Sequence, residues 1–174
     1  GAEFIEIKGD GGIAIYSKDK VINSLLASIS VKTFYFRHIN KKVKNTYGVD
    51  FEVTTGISKG NLKLKYVGER GINFPVWAGE TINLSALISK ELKRKSSPNT
   101  YIGITDDIYE KIKSMNLDEY ILLSCGCGNN STKNNLWTTE TIPHKNGKKY
   151  YYTNSNWCNI HGQEYINRIF EILA

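Results

Sequence analysis

Four side chains toward the C-terminal end have the types and spacing to do chemistry together. Cys125 and Cys127 form a C-x-C pair, and after thirty intervening residues Cys158 and His161 form a C-x-x-H pair. Thiolate and imidazole are the donors of structural Zn²⁺ sites, and two close pairs supply the closed tetrahedron such a site needs. Asn146-Gly147, the dipeptide preferred in a type I′ turn, lies between Leu136–Pro143 and Lys148–Thr153, so a hairpin is expected to bring the pairs together. Two other readings stay open. Cys125 and Cys127 end the apolar run Tyr120–Leu123 and suit buried thiols; a disulfide is the third, against which the odd cysteine count argues.

The same hairpin, Trp137–Tyr152, sets Lys145, Lys148 and Lys149 beside Tyr150, Tyr151 and Tyr152. Lysines neutralise phosphates and aromatic rings stack on bases, so this combination suits nucleic acid. A plain edge hairpin with tyrosines facing the core is the competing reading. The net charge of +6 favours an acidic partner, and Arg70, Lys41 and Lys42 are further candidate phosphate contacts.

Catalytic alternatives rest on smaller groups. Asp50 and Glu52, placed by alternation on one strand face opposite Lys63 and Lys65, suit either a salt-bridge ladder or a metal-dependent endonuclease centre. Glu6, His38 and His144 are the acid–base candidates for a metal-free ribonuclease, with arginines for the phosphate. No G-x-S-x-G, G-x-x-x-x-G-K-[ST], H-E-x-x-H or G-x-G-x-x-G occurs, which removes the chemistries those motifs carry. Glu140-Thr141-Ile142-Pro143 with Gly147, Trp157-Cys158 and His161 resembles, over residues 125–161, the zinc-stapled HNH nuclease pattern. Thr141 stands where that family has its activating histidine and Gly162 where it has its last metal-binding one, so the resemblance implies a similar finger without the chemistry.

The elements that must position these groups follow from periodicity. Phe4–Ile7 and Ile13–Tyr16 predict a hairpin across Gly-Asp-Gly-Gly, and Val21, Ile22, Leu25, Leu26 and Ile29 a helix capped by Ser17. Val31–Ile39 has strand composition, with Lys41, Lys42 and Lys44 in a loop after it. Val49–Ile57 and Asn61–Val67 predict a second hairpin across Ser58-Lys59-Gly60. Ile72–Gly79 is an edge strand or loop, because Pro75 cannot donate to a ladder. Helices are expected around Leu84–Leu92, Ile108–Met115 and Tyr165–Leu173, with a strand at Tyr101–Ile104.

These elements imply an α+β fold: a mostly antiparallel sheet or half-barrel, three to four helices and a zinc-stapled hairpin near the C-terminus. A length of 174 residues suits a single domain over 1–174, with 120–162 as a zinc-finger-like subregion. Gly1–Phe4 reads as a cloning remnant, and neighbouring domains of a larger protein are expected. No stretch has the apolar length of a transmembrane helix. The location is intracellular if the cysteines hold zinc, with secretion the other option. The function expected is a zinc-stabilised nucleic-acid-binding module from a mobile element or a restriction or toxin system. A secreted or plasmid-encoded ribonuclease toxin and a metal-dependent DNA endonuclease are the alternatives.

Overall fold

The computed structural model describes residues 1–49, 52–69, 72–95, 102–115, 137–143, 145–153 and 171. Strands β1 (Phe4–Lys8) and β2 (Gly11–Ile15) form the first hairpin, in the register Phe4↔Ile15 to Lys8↔Gly11. Helix α1 (Val21–Phe34) follows, without a side-chain cap; the Ser17 carbonyl instead accepts the Lys20 N–H at 2.9 Å. Its apolar stripe, Val21, Ile22, Leu25, Leu26 and Ile29, is buried.

The strand expected over Val31–Ile39 is helical. Burial continues at Lys32, Thr33 and Tyr35, on the face that Leu25 and Ile29 began, while Val31 and Phe34 are half exposed. Strand-like composition therefore lost to a helical burial period. Ser28, Ser30 and Thr33 satisfy their hydroxyls on carbonyls four residues back, at 2.8–3.0 Å. The helix passes through a π-helical turn (Tyr35–Ile39) into α2 (Asn40–Tyr47), which ends at Gly48 in the left-handed region at φ 68°. Lys41, Lys42 and Lys44 are therefore helical rather than in a loop.

The second expected hairpin is also re-paired. Strand β3 (Thr55–Ile57) lies parallel to β6 (Ile102–Thr105), and β4 (Lys63–Glu69) pairs antiparallel with β5 (Ile72–Ala78). Pro75 sits opposite Tyr66 in that two-stranded ribbon, an edge position as its missing N–H requires. Strand β6 then pairs antiparallel with β8 (Lys149–Thr153), and β8 with β7 (Trp137–Thr141), giving a four-stranded sheet in the order β3-β6-β8-β7. Four of the five described pairings are antiparallel, and the sheet is open rather than closed into a barrel. The fold is α+β, with helices α1, α2, α3 (Glu80–Arg94) and α4 (Asp106–Ser114) among the described residues.

A parallel β3–β6 pair needs a crossover, and the β4–β5 ribbon with α3 supplies it. What pins α3 to the pair is the facing couple Gly56↔Gly103. A Cβ at Gly56 would collide with the Ser85 backbone, and one at Gly103 would come within 2.5 Å of Ile88 Cγ2. Ser58 donates to the Thr81 carbonyl at 2.6 Å and meets the Ser85 hydroxyl at 2.7 Å, while Thr54 and Ser89 share a hydroxyl contact of 2.8 Å. That polar seam fixes the axial register of α3. Two apolar clusters flank the sheet. Residues of α1, α4, β3 and β6 make one; Leu84, Ile88 and Leu92 with Ile142, Tyr150 and Tyr152 make the other.

Candidate functional site

The hairpin around Asn146-Gly147 forms as its dipeptide predicts. Asn146 (φ 46°) and Gly147 (φ 76°) both take positive φ, and the Lys148 N–H closes the turn on the Lys145 carbonyl at 2.9 Å. Its side chains, however, do not form an open reading surface. Tyr150 and Tyr152 are 1% and 8% exposed, with their rings in the core. Tyr151 stacks on Tyr109 with ring centroids 3.8 Å apart. Lys148 is held by Glu80 at 2.7 Å, while Lys149 is exposed. Strand β8 is internal to the sheet, which is why alternate tyrosines turn inward.

The other expected groups are scattered. Glu6 lies on β1, partly buried; His38 is exposed on the π-helical turn, its ring 5.1 Å from that of Phe34. Glu52 precedes β3, and Lys63 and Lys65 face Ala78 and Val76 of β5 rather than an acidic strand, so the endonuclease face is not assembled. Among the described residues, no group of three or more His, Cys, Asp or Glu side chains could hold a metal ion. Cys125, Cys127, Cys158, His161, His144, Asp50 and Arg70 lie outside the described residues, as does the expected helix Tyr165–Leu173 apart from residue 171.

The residues that do converge are at the junction of β5 and α3. The chain leaves β5 through Trp77-Ala78 and enters α3 through Gly79, whose φ of 154° and contact with the Asn61 carbonyl leave no room for a side chain. The first turn leaves the backbone N–H groups of Glu80 to Ile82 with no earlier turn to bond to, while the Asn83 N–H reaches the Gly79 carbonyl at 3.4 Å and the Asn83 side chain is exposed. Lys148 reaches this turn from the hairpin, and the charge of Lys145 is felt by Glu80 as well. The hydrogen bond from Lys148, then the charges of both lysines, hold the Glu80 carboxyl below its usual range. Trp77 lies against Phe4 at 5.1 Å between ring centroids, and its buried indole Nε1 has no hydrogen-bond partner among the described residues. An aromatic ring, a helix N-terminus and two lysines are groups that suit a phosphorylated aromatic ligand. The sequence by itself does not single out Glu80, because nothing local signals that residues 80 and 148 meet.

A second polar cluster sits at the other end of α3. Lys95 Nζ donates to both oxygens of Glu140 at 2.6 Å, and the Tyr150 and Tyr152 hydroxyls donate to the same carboxylate at 3.1 and 2.8 Å. Partial burial works against the Glu140 charge, but these three donors outweigh it and hold the carboxyl below its usual range. Burial also opposes the Lys95 charge; the hydrogen bond to Glu140 and the neighbouring negative groups prevail and raise its pKa. Tyr150 and Tyr152 are both pushed up, first by burial and then by Glu140. Glu140, part of the HNH-like run, is thus committed to an internal contact.

No family model matches the sequence. The chain is 27% identical over 179 residues to a uridylate cyclase of Micromonospora echinofusca, a match covering 98% of this chain and 55% of that protein. A uridylate cyclase of Propioniciclava tarda is likewise 27% identical over 177 residues, covering 97% of this chain and 54% of the relative. The chain therefore spans about half the length of the curated relatives it matches. These matches run through nearly every described element. They overturn the expectation of a zinc-stabilised nucleic-acid-binding module, and with it the ribonuclease-toxin and endonuclease alternatives. The structure agrees in physical terms: Tyr150 and Tyr152 are core residues, and Tyr151 is stacked on Tyr109.

Proposed function

We propose that this chain forms part of a nucleotide cyclase acting on a uridine nucleotide. The observation that carries the proposal is the near end-to-end match to two uridylate cyclases. Cyclisation is an intramolecular phosphoryl transfer. A ribose hydroxyl oxygen bonds to the phosphorus attached to the same ribose, the bond from that phosphorus to the departing phosphate chain breaks, and the hydroxyl proton leaves. Little covalent chemistry is asked of the protein, so positioning and charge stabilisation dominate.

The β5–α3 junction supports this reading. In it, the first turn of α3 and Lys145 and Lys148 hold the phosphates, Asn83 hydrogen-bonds the reacting region, and the Trp77 ring borders the base. Glu80 keeps Lys148 at the site until a phosphate competes for it. Phosphoryl transfer commonly recruits divalent cations. Asp10, exposed at the tip of the β1–β2 turn, is one open carboxylate, but one ligand does not make a site and the described residues contain no ligand cluster, so no step is routed through a metal. The test is incubation of the protein with UTP, CTP, ATP and GTP, with Mg²⁺ or Mn²⁺ supplied, followed by chromatography. Cyclic uridine nucleotide and pyrophosphate are expected in equal amounts; no cyclic product from any of the four would overturn the reading.

A further inference from the structure

Charge is not evenly spread along this chain. From Val21 to Val49 there is no Asp or Glu, and Lys32, Arg37, Lys41, Lys42 and Lys44 give that stretch +5 of the chain's net +6. Lys32 is buried, but Lys41, Lys42 and Lys44 stand exposed on α2. Lys41 and Lys42 make no ion pair among the described residues. Helix α2 buries none of its eight residues, so no core holds it. A helix that short is unstable alone in water, and this one persists as the continuation of α1 through the π-helical turn.

Large apolar side chains are exposed on the same rod. Val31 and Phe34 are 52% and 56% exposed before the π-helical turn, and Tyr47 and Val49 are exposed beyond it. Val31 and Phe34 also line a groove of about 330 Å³, whose other walls are Ser30, Tyr35, Ile39 and Val53. The Phe34 and His38 rings lie 5.1 Å apart, so a four-residue step stays on one face through this turn, and the next such step is Lys42. The rim of the apolar groove and a lysine therefore share one side.

We propose that this face of α1 and α2 docks on a lipid surface bearing anionic head groups. Such a surface rewards both features at once. Its negative potential attracts lysines, whose apolar stems reach across the boundary while the ammonium groups stay in water. Val31 and Phe34 meanwhile exchange water for the acyl boundary, as the apolar face of an interfacial helix does. Nucleic acid or an acidic polypeptide would reward the lysines but leave the groove wet. No described helix is long and apolar enough to cross a bilayer, so the contact is peripheral. It does not depend on the assignment of the β5–α3 junction to a nucleotide.

Flotation with lipid vesicles tests it. The chain should rise with vesicles of equimolar phosphatidylcholine and phosphatidylglycerol but not with phosphatidylcholine alone, and added salt should release it. Lys41→Gln combined with Lys42→Gln should weaken binding about 30-fold, and Phe34→Ser about ten-fold. These side chains are exposed, so thermal unfolding of the variants should match the parent; Val31→Ser takes the place of Phe34→Ser if that variant fails to fold. No flotation with the anionic vesicles at low ionic strength overturns the proposal, as does equal flotation with neutral ones or binding unchanged in the double lysine variant. Binding lost with the lysines but untouched by Phe34→Ser and Val31→Ser, and competed away by duplex DNA, would mark a general polyanion site and overturn docking on lipid.

Discussion

Replacing Gly56 by alanine is the sharpest test of how α3 is seated. A Cβ there would lie 2.9 Å from both the Ser85 carbonyl carbon and the Ser89 amide nitrogen, and closer still to the Ser85 carbonyl oxygen. Carbon contacts settle at about 3.5–4.0 Å, so α3 would have to retreat by roughly 1 Å. Its backbone cannot turn aside as a flexible side chain can. Overpacking of this kind costs about 1–3 kcal/mol. Retreat also stretches the Ser58–Ser85 and Thr54–Ser89 contacts, and each such hydrogen bond is worth about 1 kcal/mol net. A loss of about 3 kcal/mol is expected, which for a chain of this size lowers Tm by about 6–12 °C. Urea unfolding followed by circular dichroism measures it. Adding Ser85→Ala supplies the internal control: it removes a hydroxyl but leaves the carbonyl that Cβ strikes, so it should not rescue. A Gly56→Ala protein within about 0.5 kcal/mol of the parent, or a clear rescue by Ser85→Ala, would refute the close seating of α3.

The partner glycine should behave differently. Gly103→Ala meets the Ile88 and Leu92 side chains rather than backbone, so it should cost about 2 kcal/mol, and Ile88→Leu, which removes the offending Cγ2 at nearly constant volume, should recover part of that in equilibrium unfolding. Gly147 has open space around it but φ 76°, so Gly147→Ala should destabilise by about 1 kcal/mol from backbone strain alone, and a neutral result would mean the turn is not type I′. Glu140→Gln should cost about 1 kcal/mol at neutral pH, a figure discounted because the pair is partly solvent-exposed. The folded pKa of Glu140 is depressed, so its contribution is fully present above the unfolded carboxyl pKa and is lost as pH falls through the folded one. The stability curves of parent and variant should therefore converge in acid; a constant gap down to full carboxyl protonation would count against the ionised contact.

What the sequence determined by itself were features with a local cause. The Asn146-Gly147 turn needs positive φ at two successive residues, and that dipeptide takes it most readily. The burial of Leu25 and Ile29 on α1, and of Ile108 and Ile112 on α4, follows from helical spacing, and the edge position of Pro75 from its missing N–H. Tertiary structure decided whatever depended on partners distant in the chain. Val31–Ile39 became helical because the burial period of α1 continues through Lys32, Thr33 and Tyr35, against the strand preference of its composition. Strand β3 chose β6 over its neighbour β4 because Gly56 and Gly103 together make a surface flat enough for α3, and their pairing spans 47 positions. The roles of Glu80, Lys148, Glu140 and Lys95 were hidden for the same reason: each finds its partner 45 or 68 residues away, across a helix whose seating no local pattern records.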